Sequence, residues 1–149
     1  MNDNNPMTKI TVRQNMNDFR LVKKGNEGHS FTPDDSVFRY EQFVSFVRQE
    51  LSDNLPNVVI SHHPPSKKFV HPKYDNFQEM NGAYCNDLDD FIIEHTDKIS
   101  AWVCGHVHNP HTAVIEKTPM FCNPRGYLGV EHTQYDIDLL TFEVGGETQ

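Results

Sequence analysis

The sequence predicts an α/β domain built on a mixed sheet with covering helices. Three observations predict it. Apolar residues recur at helical spacing between positions 38 and 51. Two short apolar runs, Val58-Val59-Ile60 and Ile99-Ser100-Ala101-Trp102-Val103-Cys104, have strand length and end at turn-forming residues. Between them residues 86–95 look helical again, so helix and strand alternate before several shorter strands follow. Those later strands lie close enough in sequence to pair antiparallel, which makes the sheet mixed.

Residues 1–30 are a poorly defined lead-in, polar and rich in asparagine. Residues 8–19 suit a short helix, with Ile10 and Met16 among its few apolar side chains. Lys23-Lys24-Gly25-Asn26-Glu27-Gly28 is a loop by composition. The next helix has clear start signals: Thr32 as N-cap, Pro33 in the first turn, and Asp34 and Asp35 at the positive end of the dipole. Phe38, Phe43, Phe46, Val47 and Leu51 form its apolar stripe, read as core packing, and Asn54-Leu55-Pro56 should end it. A strand over residues 58–61 follows. Residues 64–81 then read as a long polar loop with three prolines and Lys67, Lys68, Lys73 and Tyr74. Loops of that length in compact domains usually serve function or move. Asn86 or Asp87 opens a second helix with Leu88, Phe91, Ile92 and His95 on its inner face. Residues 100–104 are the second buried strand, 112–116 and 119–122 a hairpin, and 135–144 a final strand.

Composition narrows the function. A chain of 149 residues with 36% apolar content makes one domain, or part of a larger one. A net charge of −8 argues against a module that neutralises a nucleic-acid backbone. Nucleic acid stays open only as a substrate, because bound cations can supply local positive charge. No apolar run approaches membrane-spanning length, so no membrane partner is expected. The first residues lack a basic-then-apolar leader, so a cytoplasmic location is expected. The three cysteines, without CxxC spacing, read as free buried thiols in a reducing compartment.

Histidine is the informative residue. Four of the nine histidines lie in two tight clusters, His62-His63 and Gly105-His106-Val107-His108. Each cluster directly follows an apolar strand, and Pro64-Pro65 and Asn109-Pro110 break the chain just afterwards. Side chains at strand ends are held by a rigid sheet, as a metal site requires. Imidazole suits zinc, iron, nickel and copper, and manganese sites also accept it. Two ions about 3.5–4 Å apart can clamp the attacking and leaving oxygens of a phosphoryl displacement, and one of them lowers the pKa of bound water toward about 7. A single histidine at a strand end would read as an ordinary capped residue; two clusters after two strands favour metal. His29, His71, His95, His111 and His132 read as surface or structural residues.

Val58-Val59-Ile60-Ser61-His62-His63-Pro64-Pro65-Ser66 and Trp102-Val103-Cys104-Gly105-His106-Val107-His108 resemble the last two metal motifs of calcineurin-like metallophosphoesterases, in order and in spacing. The resemblance is to a bacterial or phage-type subgroup. It extends to Met16-Asn17-Asp18-Phe19-Arg20, Phe31-Thr32-Pro33-Asp34-Asp35 and Cys122-Asn123-Pro124-Arg125-Gly126-Tyr127, and so covers roughly residues 5–144.

That resemblance implies half of a four-layer αββα sandwich, residues 1–149 being a single partial domain. It implies hydrolysis of phosphomonoesters or phosphodiesters by metal-activated water. His62 and His106 would ligate one divalent metal and His108 a second, with manganese, iron, zinc and nickel all open. His63 would stand beside the substrate as the catalytic candidate rather than on a metal. Asn123 and Arg125 would order the site or contact substrate, with a structural turn around Pro124 and Gly126 as the equal alternative.

The family's first-half motifs, Asp-x-His, Gly-Asp-x-x-Asp and Gly-Asn-His-Asp/Glu, are not in this sequence; Gly25-Asn26-Glu27-Gly28-His29 only echoes the last. The expected partner is therefore a separate N-terminal half or a second copy, docked on the sheet face left open. The alternative is a catalytically inactive remnant or binding subunit that keeps the fold.

Overall fold

Thr32 starts the longest helix, as its sequence signals require. In a computed structural model of the chain, Thr32 Oγ1 accepts from Asp35 N–H at 3.2 Å and Asp35 Oδ2 accepts from Thr32 N–H at 2.9 Å. This reciprocal cap satisfies two backbone donors that a helix start leaves free. The structure describes residues 4–26, 28–53, 55–131, 133, 135 and 144. The strand expected over residues 135–144 lies, but for its end residues, outside the described residues.

The capped helix, α3 (Pro33–Glu50), stops ahead of the Asn54-Leu55-Pro56 break. Its inner face also differs from the phenylalanine stripe. Val37, Val47 and Leu51 are buried, with Tyr40, Phe43 and Val44 packed beside them. Phe38 and Phe46 are 57% and 59% exposed. The stripe that runs 37, 40, 44, 47, 51 keeps the helical period, and positions 38 and 46 fall to one side of it.

The lead-in is more ordered than its composition suggests. Asn5 caps α1 (Pro6–Asn15), which is followed by α2 (Asp18–Leu21). Thr8 and Val12 point inward, whereas Ile10 is exposed. The glycine loop is the tip of a small hairpin, β1 (Lys23–Lys24) and β2 (His29–Ser30). The long loop from residue 64 contains two 3-10 turns and ends in a helix, α4 (Gln78–Tyr84). Gly82 weakens the helix signal there. Gly82 and Ala83 are buried, and α1 packs on α4, so tertiary packing adds to the helix preference of Gln78, Glu79, Met80 and Ala83. Helix α5 (Asp89–Glu94) begins after Leu88 and buries Phe91 and Ile92 as expected.

Four strands form the main sheet: β3 (Asn57–Ile60), β4 (Ile99–Cys104), β5 (His111–Ile115) and β6 (Thr118–Cys122), in the order β3-β4-β6-β5. The β3–β4 and β4–β6 pairs are parallel, and β5–β6 is the expected antiparallel hairpin. The chain is therefore α/β with a mixed sheet. Register places Val59, Trp102, Met120 and Ala113 on one face, and Ile60, Val103, Phe121 and Thr112 on the other.

The Trp102 face carries the core, closed by Val47 of α3, by Leu51 at its C-cap, and by Phe91 and Ile92 of α5. The opposite face is apolar and open. Ile60 is 72% exposed and Val114 58%, and Val58, Val103 and Phe121 are only half-buried. Among the described residues, no helix is long and apolar enough to cross a membrane.

The two faces should respond differently to truncation. Val59→Ala is expected to cost about 2 kcal/mol in urea unfolding, because two buried methyl groups are lost. Ile60→Ala, one residue along, should change stability by less than about 0.5 kcal/mol. Equal losses would mean that both faces are packed.

Candidate functional site

Strands β3 and β4 are parallel and, after a register shift between Asn57 and Val58, pair without interruption to Ile60 and Val103, so both end at the same sheet edge. The ladder continues past the strands into the histidine turns. Ser61 N–H donates to Val103 O at 3.0 Å, and Gly105 N–H donates to His62 O at 2.9 Å. Trp102 then secures the first turn from the core. Its indole N–H donates to Ser61 Oγ at 2.9 Å, and Ser61 Oγ donates to the His63 carbonyl at 2.7 Å. Cys122 on β6 supports the second turn, its thiol donating toward Gly105 O at 3.7 Å and Val107 O at 3.6 Å. Within that turn Val107 N–H donates back to Gly105 O at 2.8 Å, and His106 sits at φ +64°. A positive φ at a residue with a β-carbon is strained, and such strain clusters at functional sites.

The two turns bring the predicted residues together. His106 Nδ1 lies 3.1 Å from His62 Nε2. The His63 ring centroid is 4.1 Å from that of His106 and 5.1 Å from that of His62. Tyr84 of α4 covers His106 at 5.0 Å between ring centroids. His108 stands apart from this cluster; its Nδ1 is 2.8 Å from Glu131 Oε1, and its ring lies edge-on to Tyr127.

His62, His106 and His108 line a cavity of about 950 Å³ with Asp18, Tyr84 and Glu131. Phe69, Tyr74 and Phe77, from the segment expected to be a loop, form another part of its wall. The cavity opens beyond the carboxyl ends of the parallel strands, where α/β sheets commonly bind ligands. His63, Asn123 and Arg125 do not line it. His63 packs its ring behind His106, Asn123 is half-buried, and Arg125 is exposed with its carbonyl accepting from Thr133 Oγ1 at 3.0 Å.

The electrostatics favour neutral imidazoles. Burial, followed by the charge of neighbouring histidines, holds His63 down to about 3. Burial and then the proximity of His62 hold His106 down to about 4. Both rings therefore keep a lone pair at neutral pH, as metal ligation requires. His106 Nε2 is buried and has no hydrogen-bond partner among the described residues.

The donor set fits a metal in part. Two nitrogens each about 2.0–2.1 Å from one ion lie roughly 2.8–3.4 Å apart in octahedral or tetrahedral geometry. The observed 3.1 Å between His62 and His106 falls in that range. Among the described residues, however, no three His, Cys, Asp or Glu side chains are grouped to hold an ion. The cysteines do not fill the gap: all three are free and buried, and burial pushes the Cys85 thiol up to about 12.

No family model matches the sequence, and no curated protein matches it. Asp18, Tyr84 and Glu131 were not singled out from sequence. Asp18 lies in a segment quoted for its resemblance, yet nothing in that segment signals approach to a histidine turn 88 positions away. Glu131 follows two glycines, Gly126 and Gly129, whose spacing signals a turn but not its target.

Depressed histidines give a pH dependence of known sign. The unfolded chain, with ordinary histidines near 6.5, binds more protons than the folded one below that pH. Stability should thus be full above pH 6.5 and fall as pH drops toward 5, on the order of 1 kcal/mol per pH unit after solvent screening. Urea unfolding at pH 7.5, 6 and 5 measures it, and His63→Gln should make the slope shallower. A flat profile in the unmodified chain would contradict the burial of these rings.

Proposed function

We propose that this chain is the C-terminal portion of a calcineurin-like metallophosphoesterase domain, and that it hydrolyses phosphomonoesters or phosphodiesters once its ligand set is complete. The observation that carries the reading is the 3.1 Å approach of His62 Nε2 and His106 Nδ1 at the ends of adjacent parallel strands. Neutral imidazoles, the strained turn at His106 and the cavity in front of both support it.

In this reading His62 and His106 hold one divalent ion, and His108 contributes to a second. Manganese, iron, zinc and nickel are all suited to imidazole. Bound metal would supply an activated water and stabilise charge on the phosphoryl oxygens. The protein's own contribution is to fix the donor nitrogens and, by burial, to keep His106 unprotonated. His63 acts through the His106 ring against which it packs. Asn123 and Arg125 follow β6 but do not line the cavity, so the structural-turn role is the one kept for them.

The remaining ligands come from polypeptide outside these 149 residues or from a second copy. The open apolar face around Ile60 and Val114 supports such a completion, because a packed second sheet would bury it. A second reading, a binding subunit or inactive remnant, is favoured by the incomplete ligand group among the described residues.

Turnover of an aryl phosphodiester with added Mn²⁺ tests both readings. Where a second copy completes the ligand set, the chain hydrolyses the ester, and His106→Ala should lower turnover about 100-fold or more, since even the groups that orient metal ligands commonly cost 10–100-fold. Equal turnover in the variant sinks the assignment. No turnover in either protein means that separate polypeptide must supply the missing ligands or that the chain is a binding subunit or remnant; turnover that appears on adding a polypeptide with the Asp-x-His and Gly-Asp-x-x-Asp motifs selects the former.

A further inference from the structure

His106 and His108 are separated by one residue, yet they meet different partners. His106 turns Nδ1 toward His62, whereas His108 gives Nδ1 to the Glu131 carboxylate at 2.8 Å. A carboxylate only accepts, so in this contact His108 Nδ1 is the donor. A neutral imidazole carries one N–H, and with it fixed on Nδ1 the lone pair stays on Nε2.

Several features hold Glu131 in place. Glu131 N–H and Val130 N–H both donate to Tyr127 O, at 3.2 and 3.1 Å, closing a single turn over residues 127–131. Glu131 Oε1 also accepts from Tyr127 N–H at 3.4 Å. The Tyr127 ring lies edge-on to His108, with 4.9 Å between ring centroids. Gly126 enters this turn at φ +69°, and a β-carbon there would come within 2.7 Å of Thr133 Cγ2 and 3.2 Å of Glu131 Cδ. Only glycine lets the segment fold back over the histidine turn. The His108 and Glu131 side chains are 30% and 31% exposed, so the pair is partly shielded from water.

We infer that Glu131 is a positioning residue, whose carboxylate holds His108 in the Nδ1–H form and leaves Nε2 as its free donor toward a divalent cation. The adjacent motif histidines then present different nitrogens, Nδ1 from His106 and Nε2 from His108. Two donors separated by one residue can thereby serve two points in the cavity. The cation part of this inference rests on the metal reading above; the tautomer does not.

Long-range ¹H–¹⁵N spectra of the full chain at pH 8 decide the tautomer. The expected result is His108 protonated on Nδ1 in the unmodified chain and in Glu131→Gln, which keeps an acceptor oxygen. Glu131→Ala should release His108 to the Nε2–H form that free imidazole side chains prefer, with the His106 signals unmoved. An Nε2–H signal in the unmodified chain, or no change in Glu131→Ala, overturns the inference.

Calorimetric titration with Zn²⁺ or Mn²⁺ tests the cation part. Glu131→Ala should weaken affinity about 10–100-fold, as loss of an orienting carboxylate does, and Glu131→Gln should weaken it less. Equal affinities overturn the positioning role. A chain that binds neither ion overturns the metal reading itself, while the spectra still decide the Glu131 contact.

Discussion

The parallel pairing of β3 with β4, uninterrupted from Val58 opposite Ala101 to Ile60 opposite Val103, is the constraint on which the candidate site depends. Val59 lies opposite Trp102, and both belong to the single large core cluster. Trp102 is fully buried, so its indole fixes which face of β4 looks inward. A slip of one residue would turn that face outward and expose the largest side chain in the core. With the register fixed, Ser61 and Gly105 continue the ladder beyond the strands, and His62 and His106 arrive side by side. The proximity of the two imidazoles is thus a consequence of core packing several residues away.

The same anchors explain the chemistry of the turns. Trp102, through Ser61, fixes the His63 carbonyl, and Cys122 fixes the carbonyls around His106. The backbone cannot relax without losing these bonds, so His106 keeps its left-handed conformation. Three imidazoles and Tyr84 then crowd together, and a proton on any of the buried rings meets both desolvation and its neighbours. His63 and His106 stay neutral and present lone pairs. On the proposed reading His62 and His106 would hold a divalent cation between them.

The segments that look least structured build the rest of the cavity. Val12, Met16, Phe19, Val37 and Ala83 form a second, smaller core. This cluster docks the lead-in helices so that Met16, Asn17 and Asp18 become cavity wall. Across the cavity, the 3-10 turns before α4 contribute Phe69 and Tyr74. The sheet itself is finished on one face only, and its open face lies on the strands that carry the histidine turns. Completion of the ligand set and completion of the core would therefore be coupled in the proposed domain.

Much of the framework was determined locally and was legible in the sequence. Thr32, Pro33 and Asp35 define a helix start by hydrogen bonds that act within four residues. Val58-Val59-Ile60 and residues 99–104 are apolar runs of strand length that end at turn residues, and residues 111–115 and 118–122 lie close enough in sequence to pair antiparallel. The two histidine clusters were visible because they end those strands. Tertiary structure alone decided the rest. It made Phe38 and Phe46 surface residues, because the inward angle of α3 is set by what it packs against. It placed the helix of residues 78–84 against α1, which the small buried Gly82 and Ala83 admit. It kept Asn123 and Arg125 out of the cavity and brought Asp18, Tyr84 and Glu131 to it. These are contacts between residues far apart in the chain, and their geometry exists only once the register and the core have fixed where each segment lies.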